Sequence, residues 1–370
     1  MKQGWTYKTL EETCNIDYGT RVVQKKDKGS TYYVYGGGGA TFMIDRFNRE
    51  NCFIVSRFAM SPKCTRFVEG KFFLNDSGLS VSTNKDYLSQ RFLDKVLLAN
   101  NDIIYSMGKG LAQRNLDMPS FRKLSIPIPP LAEQERIVAE LDLISSIIDK
   151  KKAQLKHYDQ LAQSIFYSMF GDPRQWNNKQ LKDVTTKMGS GATPRGGNQS
   201  YKSEGISLIR SLNVHNGIFK DKDLAHIDET QAAELNNVIV EENDVLLNIT
   251  GASVARCCIV PSDILPARVN QHVSILRPNT EMLNHVFLCH YLISYNTQID
   301  LLLLSKSKAA TREALPKSIL EKFMIPLPPL SLQQEFAAKI EAIEKQKALI
   351  QQSIAETQTL FDSRMAHWFT

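Results

Sequence analysis

Two stretches of the chain place apolar residues at alternating steps of three and four. In the first, the positions are Leu141, Ile144, Ile148, Lys151, Leu155, Tyr158, Ala162, Ile165 and Met169. The second, displaced by 199 residues, reads Ile340, Ile343, Lys347, Ile350, Ile354, Thr357, Phe361, Arg364 and Trp368. This is the seam of a heptad repeat. Neither Leu131–Phe170 nor Leu330–Phe369 contains proline or glycine, and both are rich in Ala, Glu, Gln, Lys and Leu. Each is therefore expected to form one helix of about forty residues, roughly 60 Å long.

Where one copy puts a cation on the seam, the other puts an apolar residue: Lys151 matches Ile350, Lys347 matches Ile148 and Arg364 matches Ile165. This complementarity predicts that the two helices pair within one chain. Because they end equivalent halves, an antiparallel coiled coil around a pseudo-twofold axis is the simplest arrangement, with the cations limiting homodimeric alternatives.

The repeat extends to the segments that lead into the helices. Ile126-Pro127-Ile128-Pro129-Pro130-Leu131 recurs as Ile325-Pro326-Leu327-Pro328-Pro329-Leu330 at the same offset. Proline fixes its own φ and disfavours helix in the residue before it, so each copy is an extended strap ending where a helix can begin.

The globular parts differ more. Residues 1–125 are rich in aromatics and in short strand-like runs: Tyr32-Tyr33-Val34-Tyr35, Phe53-Ile54-Val55, Phe72-Phe73-Leu74 and Ile103-Ile104-Tyr105. Residues 176–320 offer Ile206-Ser207-Leu208-Ile209, Val238-Ile239-Val240, Val245-Leu246-Leu247-Asn248-Ile249 and Val273-Ser274-Ile275-Leu276 as strands, then a helix over residues 285–304. In both blocks an Asn-Asp pair, Asn101-Asp102 or Asn243-Asp244, reads as a turn leading into a strand.

These motifs carry a family resemblance. Gly191-Ala192-Thr193-Pro194, Gly205-Ile206 with Arg210 and Asn213 behind it, Asp244-Val245-Leu246-Leu247, the Thr250-Gly251 loop and the second strap are similar to type I restriction-modification specificity subunits. The first half resembles them through Tyr35-Gly36-Gly37-Gly38-Gly39, Ile54-Val55-Ser56-Arg57, and Asn115-Leu116 leading to the first strap and Ala132-Glu133-Gln134. The resemblance covers almost the whole chain. The pattern departs where Ser331-Leu332-Gln333-Gln334 follows the second strap in place of Ala-Glu-Gln, and where residues 310–320 lack the Gln-Arg-Asn-Leu of residues 113–116.

The expected fold is α+β: two loop-rich mixed α/β target-recognition domains separated by two long helices that pair as an antiparallel coiled coil, with a pseudo-twofold internal repeat. Residues 1–127 would form the first recognition domain, 128–172 the central strap and helix, 173–326 the second recognition domain and 327–370 the C-terminal strap and helix. The resemblance implies that each domain reads one half of a split DNA sequence and that the helices set the gap. It also implies partners: two methyltransferase subunits and two translocase-nuclease subunits, which would hold S-adenosylmethionine, ATP and Mg, this chain holding no cofactor. The alternatives are a helix-paired adaptor that binds protein, and a stand-alone DNA-modifying enzyme.

Composition bears on these readings. The net charge is +6, and residues 1–130 hold 19 Lys/Arg against 12 Asp/Glu whereas residues 171–329 hold 17 against 16. The positive excess thus lies in the first domain, as an electrostatic contribution to nucleic-acid binding would require. The six cysteines lack zinc-site spacing and read as reduced, mostly buried thiols, with Cys289 in a core between surface histidines, so no metal is assigned. No positively charged leader precedes an apolar run, and the longest aliphatic-rich stretch, residues 299–304, is too short to cross a bilayer, so a soluble cytoplasmic protein is expected.

Catalytic motifs are lacking. There is no Asn/Asp-Pro-Pro-aromatic run to hold a target amino group and no phosphate-binding Gly-x-x-x-x-Gly-Lys loop, and residues 36–39 read as a flexible loop near DNA. Glu69-Gly70-Lys71 lacks the upstream acid that a nuclease needs. The expectation is a chain that is no enzyme by itself. Arg reads guanine, Asn or Gln reads adenine and Lys grips phosphate, so the candidate DNA contacts are loop residues of these kinds. They are Arg57, Lys63, Arg66, Lys109, Gln113 and Arg114 in the first domain, and Arg195, Asn198, Arg256 and Lys308 in the second, joined there by the hydroxyls of Thr193 and Ser253.

Overall fold

Residues 4–110, 113–172, 175–306 and 313–369 are described by a computed structural model, residue 198 without its side chain. The chain divides into two compact units, Met1–Ala153 with Gln351–Thr370, and Gln154–Ile350.

Both long helices form over the expected stretches, Leu131–Phe170 and Leu330–Phe369. The carbonyls of Pro130 and Pro329 accept the first intrahelical bonds, from the backbone N–H of Gln134 at 3.0 Å and of Gln333 at 3.2 Å. The prolines precede the first turn, where a missing N–H costs nothing. In the first unit the early part of one helix runs antiparallel to the end of the other. Arg364 pairs with Glu140, and Lys151 donates to Ser353 Oγ at 2.6 Å and Thr357 Oγ1 at 2.8 Å. In the second unit Lys347 meets Asp159 at 2.8 Å, and the Phe336 ring lies 5.6 Å from Phe166 and 5.3 Å from Phe170, again antiparallel. Burial works against the charge of Lys347, but Asp159 and Glu344 outweigh it and hold the ammonium above the usual lysine range.

Of the seam residues, Leu141, Ile144, Ile148, Ile340, Ile343 and Trp368 are buried, and Leu155, Tyr158, Ile165, Ile350, Ile354 and Phe361 are half-buried. The periodicity did not single out Ile137, Val138 and Met365 in the first unit or Phe166, Phe170 and Phe336 in the second. These lie where the helices also pack on a globular core.

Each strap is a strand in an antiparallel pair. Ser125–Ile128 pairs with Thr6–Thr9, and Met324–Pro326 with Asn178–Gln180. Proline is tolerated because a two-stranded pair is all edge. Immediately beyond, the repeat is exact in its hydrogen bonds. Gln134 and Gln333, both fully buried, stand 199 residues apart. Gln134 Oε1 accepts from the backbone N–H of Ser89 at 2.8 Å, and its Nε2 donates to the carbonyls of Tyr87 and Pro129, each at 2.8 Å. Gln333 Oε1 accepts from Asn284 N at 2.8 Å, and its Nε2 donates to the carbonyls of Met282 at 3.1 Å and Pro328 at 2.8 Å. One amide thus ties together strap, helix start and the neighbouring chain, so the apparent departure at Ser331-Leu332-Gln333 leaves the interaction intact.

The first unit contains a six-stranded sheet in the order Cys14–Tyr18, Gly78–Thr83, Arg49–Ser56, Thr65–Leu74, Tyr32–Gly36 and Gly39–Ile44. Its core gathers Phe53, Val55, Leu79 and Val81 from the sheet with Phe92, Leu93 and Val96 from the helix Gln90–Ala99. The second unit has two four-stranded sheets. One runs Thr185–Ser190, Val273–Pro278, Val245–Asn248, Cys257–Ile259; the other runs Ala225–Ile227, Ile206–Ile209, Ala267–Val269, Ile239–Val240.

Five local expectations are corrected. Ile103-Ile104-Tyr105 is helical, within Asn101–Ser106. Asn101 makes no turn into a strand there: its Oδ1 accepts from Cys64 N and Thr65 N, at 3.1 and 3.2 Å, and buried Ile104 packs in the core. Asn243, with φ +68°, does turn into a strand. The expected strand at Val238-Ile239-Val240 is shorter, Ile239–Val240, after a 3-10 turn over Asn236–Val238. The expected helix over residues 285–304 is two, His285–Ile293 and Tyr295–Ser305, broken at the extended Ser294. His290 is shielded rather than on the surface. Its ring lies 5.1 Å from that of Phe336, and burial pushes its pKa down to about 4.

Asp94 is the clearest titrating group of the first unit. It lies beside Phe53, Phe67 and Leu98 and accepts from Gln90 Nε2 at 2.7 Å, and burial raises its pKa to about 6. Between about pH 4 and 6 the unfolded chain has lost this proton while the folded chain keeps it, so stability falls as the pH rises through that window. Asp94→Asn is expected to stabilise the protein by about 2 kcal/mol at pH 7, with the gain vanishing near pH 4. Urea denaturation across that range tests it; an equal effect at both ends would show that the carboxyl does not titrate there.

Candidate nucleic-acid interface

In the first unit the glycine run is clamped, which corrects its reading as a flexible loop. It joins the strands Tyr32–Gly36 and Gly39–Ile44. Gly37 N donates to Ser77 Oγ at 3.0 Å, and the Gly37 carbonyl accepts from Ser56 Oγ at 2.6 Å. A Cβ on Gly37 would stand 2.1 Å from the Phe58 carbonyl, so only glycine allows residues 56–60 to approach this closely.

That approach assembles the candidate cations. Leu116 N donates to the Arg57 carbonyl at 2.8 Å and Met60 N to the Arg114 carbonyl at 2.9 Å. The short strand Asn115–Leu116 pairs in turn with Gly108–Lys109. Arg57, Arg114 and Lys109 therefore come from neighbouring segments. The Arg57 guanidinium lies over Phe58 and Tyr18, 4.3 and 4.6 Å from the ring centres, and that of Arg114 lies 4.8 Å over Tyr105. Such stacking restricts a long side chain before any partner arrives. Arg66 donates to the Lys63 carbonyl at 2.8 Å and reaches the space that a side chain on Gly39 would fill. Lys63 and Gln113 are exposed, and Lys109 pairs with Asp117 at 3.0 Å. Hydrogen bonds from Ser120, then the Lys109 pair, hold Asp117 below the usual carboxylate range. Sequence reasoning overlooked Tyr18, whose ring supports Arg57; its only signal was the aromatic richness of this domain.

In the second unit a glycine performs a similar service. A Cβ on Gly191 would lie 1.9 Å from the Val269 carbonyl, and Gly191 N donates to the Asn270 carbonyl at 3.2 Å. Thr193, two residues on, reaches Gln271 and donates from Oγ1 to Oε1 at 2.6 Å. Gln271 Nε2 lies 3.2 Å from His272 Nε2, and His272 Nδ1 lies 2.6 Å from Thr250 Oγ1. Three separated segments are thereby joined side chain to side chain. Thr250, Ser253, Arg256, His272 and Glu313 line a groove of about 660 Å³. Arg195 is exposed; the side chain of Asn198 and all of Lys308 lie outside the described residues. Sequence reasoning missed Gln271 and His272, an adjacent amide and imidazole with no motif to mark them.

Not every arginine here is available. Arg277 grips buried Asp244 at 2.8 and 2.9 Å, joining the strands Val245–Asn248 and Val273–Pro278 near their ends. Arg268 is buried and donates to the carbonyls of Ala232 and Ala267 and to Asn236 Oδ1, and desolvation lowers its pKa. Both act within the fold.

Two non-identical globular parts, each presenting polar and basic loops and each tied to a helix by the same buried glutamine, define a duplicated recognition architecture. The chain matches the type I restriction modification DNA specificity domain twice, over residues 2–157 and 173–358, and belongs to that family. It is 23% identical over 333 residues to the type I restriction enzyme EcoBI specificity subunit of Escherichia coli, covering 80% of this chain and 68% of the relative. It is 22% identical over 275 residues to the putative MjaX specificity subunit of Methanocaldococcus jannaschii, covering 70% and 60%. Among solved structures, the S subunit of the type I restriction-modification system from M. genitalium aligns with a TM-score of 0.56 at 15% identity, over 99% of this chain and 97% of that one. A chain from a structure of the type I R-M system gives 0.59 at 19%, over 100% and 98%. At such identities these structures establish a shared fold. Among the described residues no helix is long and apolar enough to cross a membrane.

Proposed function

We propose that this chain is the sequence-reading subunit of a type I restriction-modification enzyme, residues 1–127 binding one half of a split double-stranded DNA target and residues 173–326 the other. The helices set the spacer and dock two methyltransferase subunits; two translocase-nuclease subunits join for cleavage. Chemistry belongs to those partners, with their S-adenosylmethionine, ATP and Mg, and the assembly works in the cytoplasm. The observation that carries this reading is the pair Gln134 and Gln333, which repeats one framework beneath two different sets of loops. Docking on the helices draws support from leucines exposed on them, among which Leu161 and Leu360 stand 199 residues apart and so offer the same feature twice, as two copies of one partner require.

Co-expression with a methyltransferase subunit of a type I system, followed by mapping of methylated adenines, tests the proposal. A single split motif is expected. Exchanging residues 1–125 for those of another such protein should change one half only, and lengthening both helices by a turn should change only the gap. Methylation at no consistent split motif would overturn the reading. DNA affinity of the assembly should also fall about a thousandfold between ~50 and ~200 mM salt if some six phosphates are neutralised; a helix-paired adaptor for protein would show no such dependence.

A further inference from the structure

We infer that Gln271 reads an adenine in the half-target bound by the second recognition domain, and that Thr193 and His272 are positioning residues that hold its amide for the task. The inference rests on the DNA-reading function proposed above and adds to it a residue and a base.

Gln271 is exposed, yet both ends of its amide are engaged by the protein, Oε1 by the Thr193 hydroxyl at 2.6 Å and Nε2 by His272 at 3.2 Å. An exposed glutamine with no task would ordinarily be left to water, since ordering it costs side-chain entropy. Here the surroundings are built to order it. Gly191 admits the Thr193 segment against the backbone at residue 269, where any side chain would collide. Buried Asn270 pins the loop, its Oδ1 accepting from His272 N at 3.0 Å and its own N–H donating to the Ile209 carbonyl at 3.0 Å. His272 is fixed in turn by Thr250 Oγ1 at 2.6 Å. The imidazole lines the 660 Å³ groove, so the adjoining amide stands at its edge.

What remains unused on that amide specifies the ligand. An amide oxygen has two acceptor sites and an amide nitrogen two N–H groups. Thr193 takes one acceptor and His272 one donor, leaving one acceptor and one donor on the same amide. In the major groove adenine presents the matching pair, an N6 donor beside the N7 acceptor, whereas guanine presents two acceptors and cytosine a donor alone. An amide free to turn could compromise with other bases; one held at both ends cannot.

The test uses the co-expressed assembly and its mapped motif. Gln271→Ala is expected to relax one A·T position in the half-motif that residues 173–326 read, leaving the other half and the spacer unchanged. Thr193→Val should relax the same position, and Thr193→Ser, which keeps the hydroxyl, should restore it. Independently of how the variants fold, a synthetic duplex carrying the wild-type motif, with 7-deaza-adenine replacing each adenine of that half in turn, removes the N7 acceptor. One such replacement should weaken binding by the wild-type assembly about tenfold or more. An unchanged motif, uniform loss of methylation with base preferences intact, relaxation at a G·C pair, or indifference to every 7-deaza replacement overturns the inference. Absence of any split motif in the wild type would instead overturn the function beneath it, and is seen separately.

Discussion

Phe166→Ala is expected to destabilise the protein by about 4 kcal/mol, the largest effect of any single truncation considered for the second unit. Phe166 is 2% exposed, and its ring centre lies 5.2 Å from that of Phe170, 5.9 Å from Phe287 and 5.6 Å from Phe336. These four rings come from both long helices and from the helix His285–Ile293. Removing the central ring loses its own burial and the edge and stacking contacts of its neighbours, and leaves a cavity that several rigid rings cannot close. By contrast Leu161→Ala, five residues away on the exposed face of the same helix, should change stability by less than about 0.5 kcal/mol. Urea denaturation of both variants checks the pair. A loss below about 1.5 kcal/mol for Phe166→Ala would mean that the rings are not close-packed around it.

Gln333→Ala should cost about 3 kcal/mol, and Gln134→Ala a similar amount. Each glutamine satisfies one backbone N–H and two carbonyls, and alanine leaves those groups with neither the amide nor room for a full hydration shell. Glutamate in either place should be worse than alanine: its carboxylate cannot donate to the two carbonyls, and a charge would be buried beside them. Denaturation measures the loss, and amide exchange locates it. Ser89 N–H should lose protection in the Gln134 variants and Asn284 N–H in the Gln333 variants. Unchanged protection at both amides would show that the glutamines are not what holds the straps to the helices.

The two glutamines also mark how far the sequence could be read. Gln134 lies in a motif that resembles the family, whereas the second copy reads as a departure because Leu332 replaces glutamate. Glu133 accepts from Trp5 Nε1 at 3.0 Å, an interaction that leucine cannot make, while Leu332 packs on the apolar core of the second unit. The flanking residue thus followed its own domain, and the glutamine stayed where both domains need it. At the seam, the sequence matches each cation with an apolar residue of the other copy, whereas in the structure the cations meet polar and acidic partners. Lys151 is held by Ser353 and Thr357 and Arg364 by Glu140, pairs more than 200 positions apart that only the antiparallel register brings together.

Candidate contact residues were legible by type and not by place. Arg57 and Arg114 are recognisable in the sequence as loop cations, but their stacking on Tyr18, Phe58 and Tyr105 depends on which segments lie side by side. Arg268 and Arg277, equally cationic in the sequence, turn inward.

By itself the sequence determined the duplicated straps, the two helices of about forty residues and the heptad seam along each. These follow from rules that act over a few residues: the fixed φ of proline, the absence of helix breakers and a 3.5-residue apolar period. The tertiary structure alone decided that Ile103-Ile104-Tyr105 is helical, that the glycine run is clamped by Ser56 and Ser77, and that Thr193, Gln271, His272 and Thr250 form one hydrogen-bonded chain. The reason is physical. Each of these depends on close approach between segments distant in sequence, where the lack of a single Cβ at Gly37 or Gly191 settles which side chains can meet.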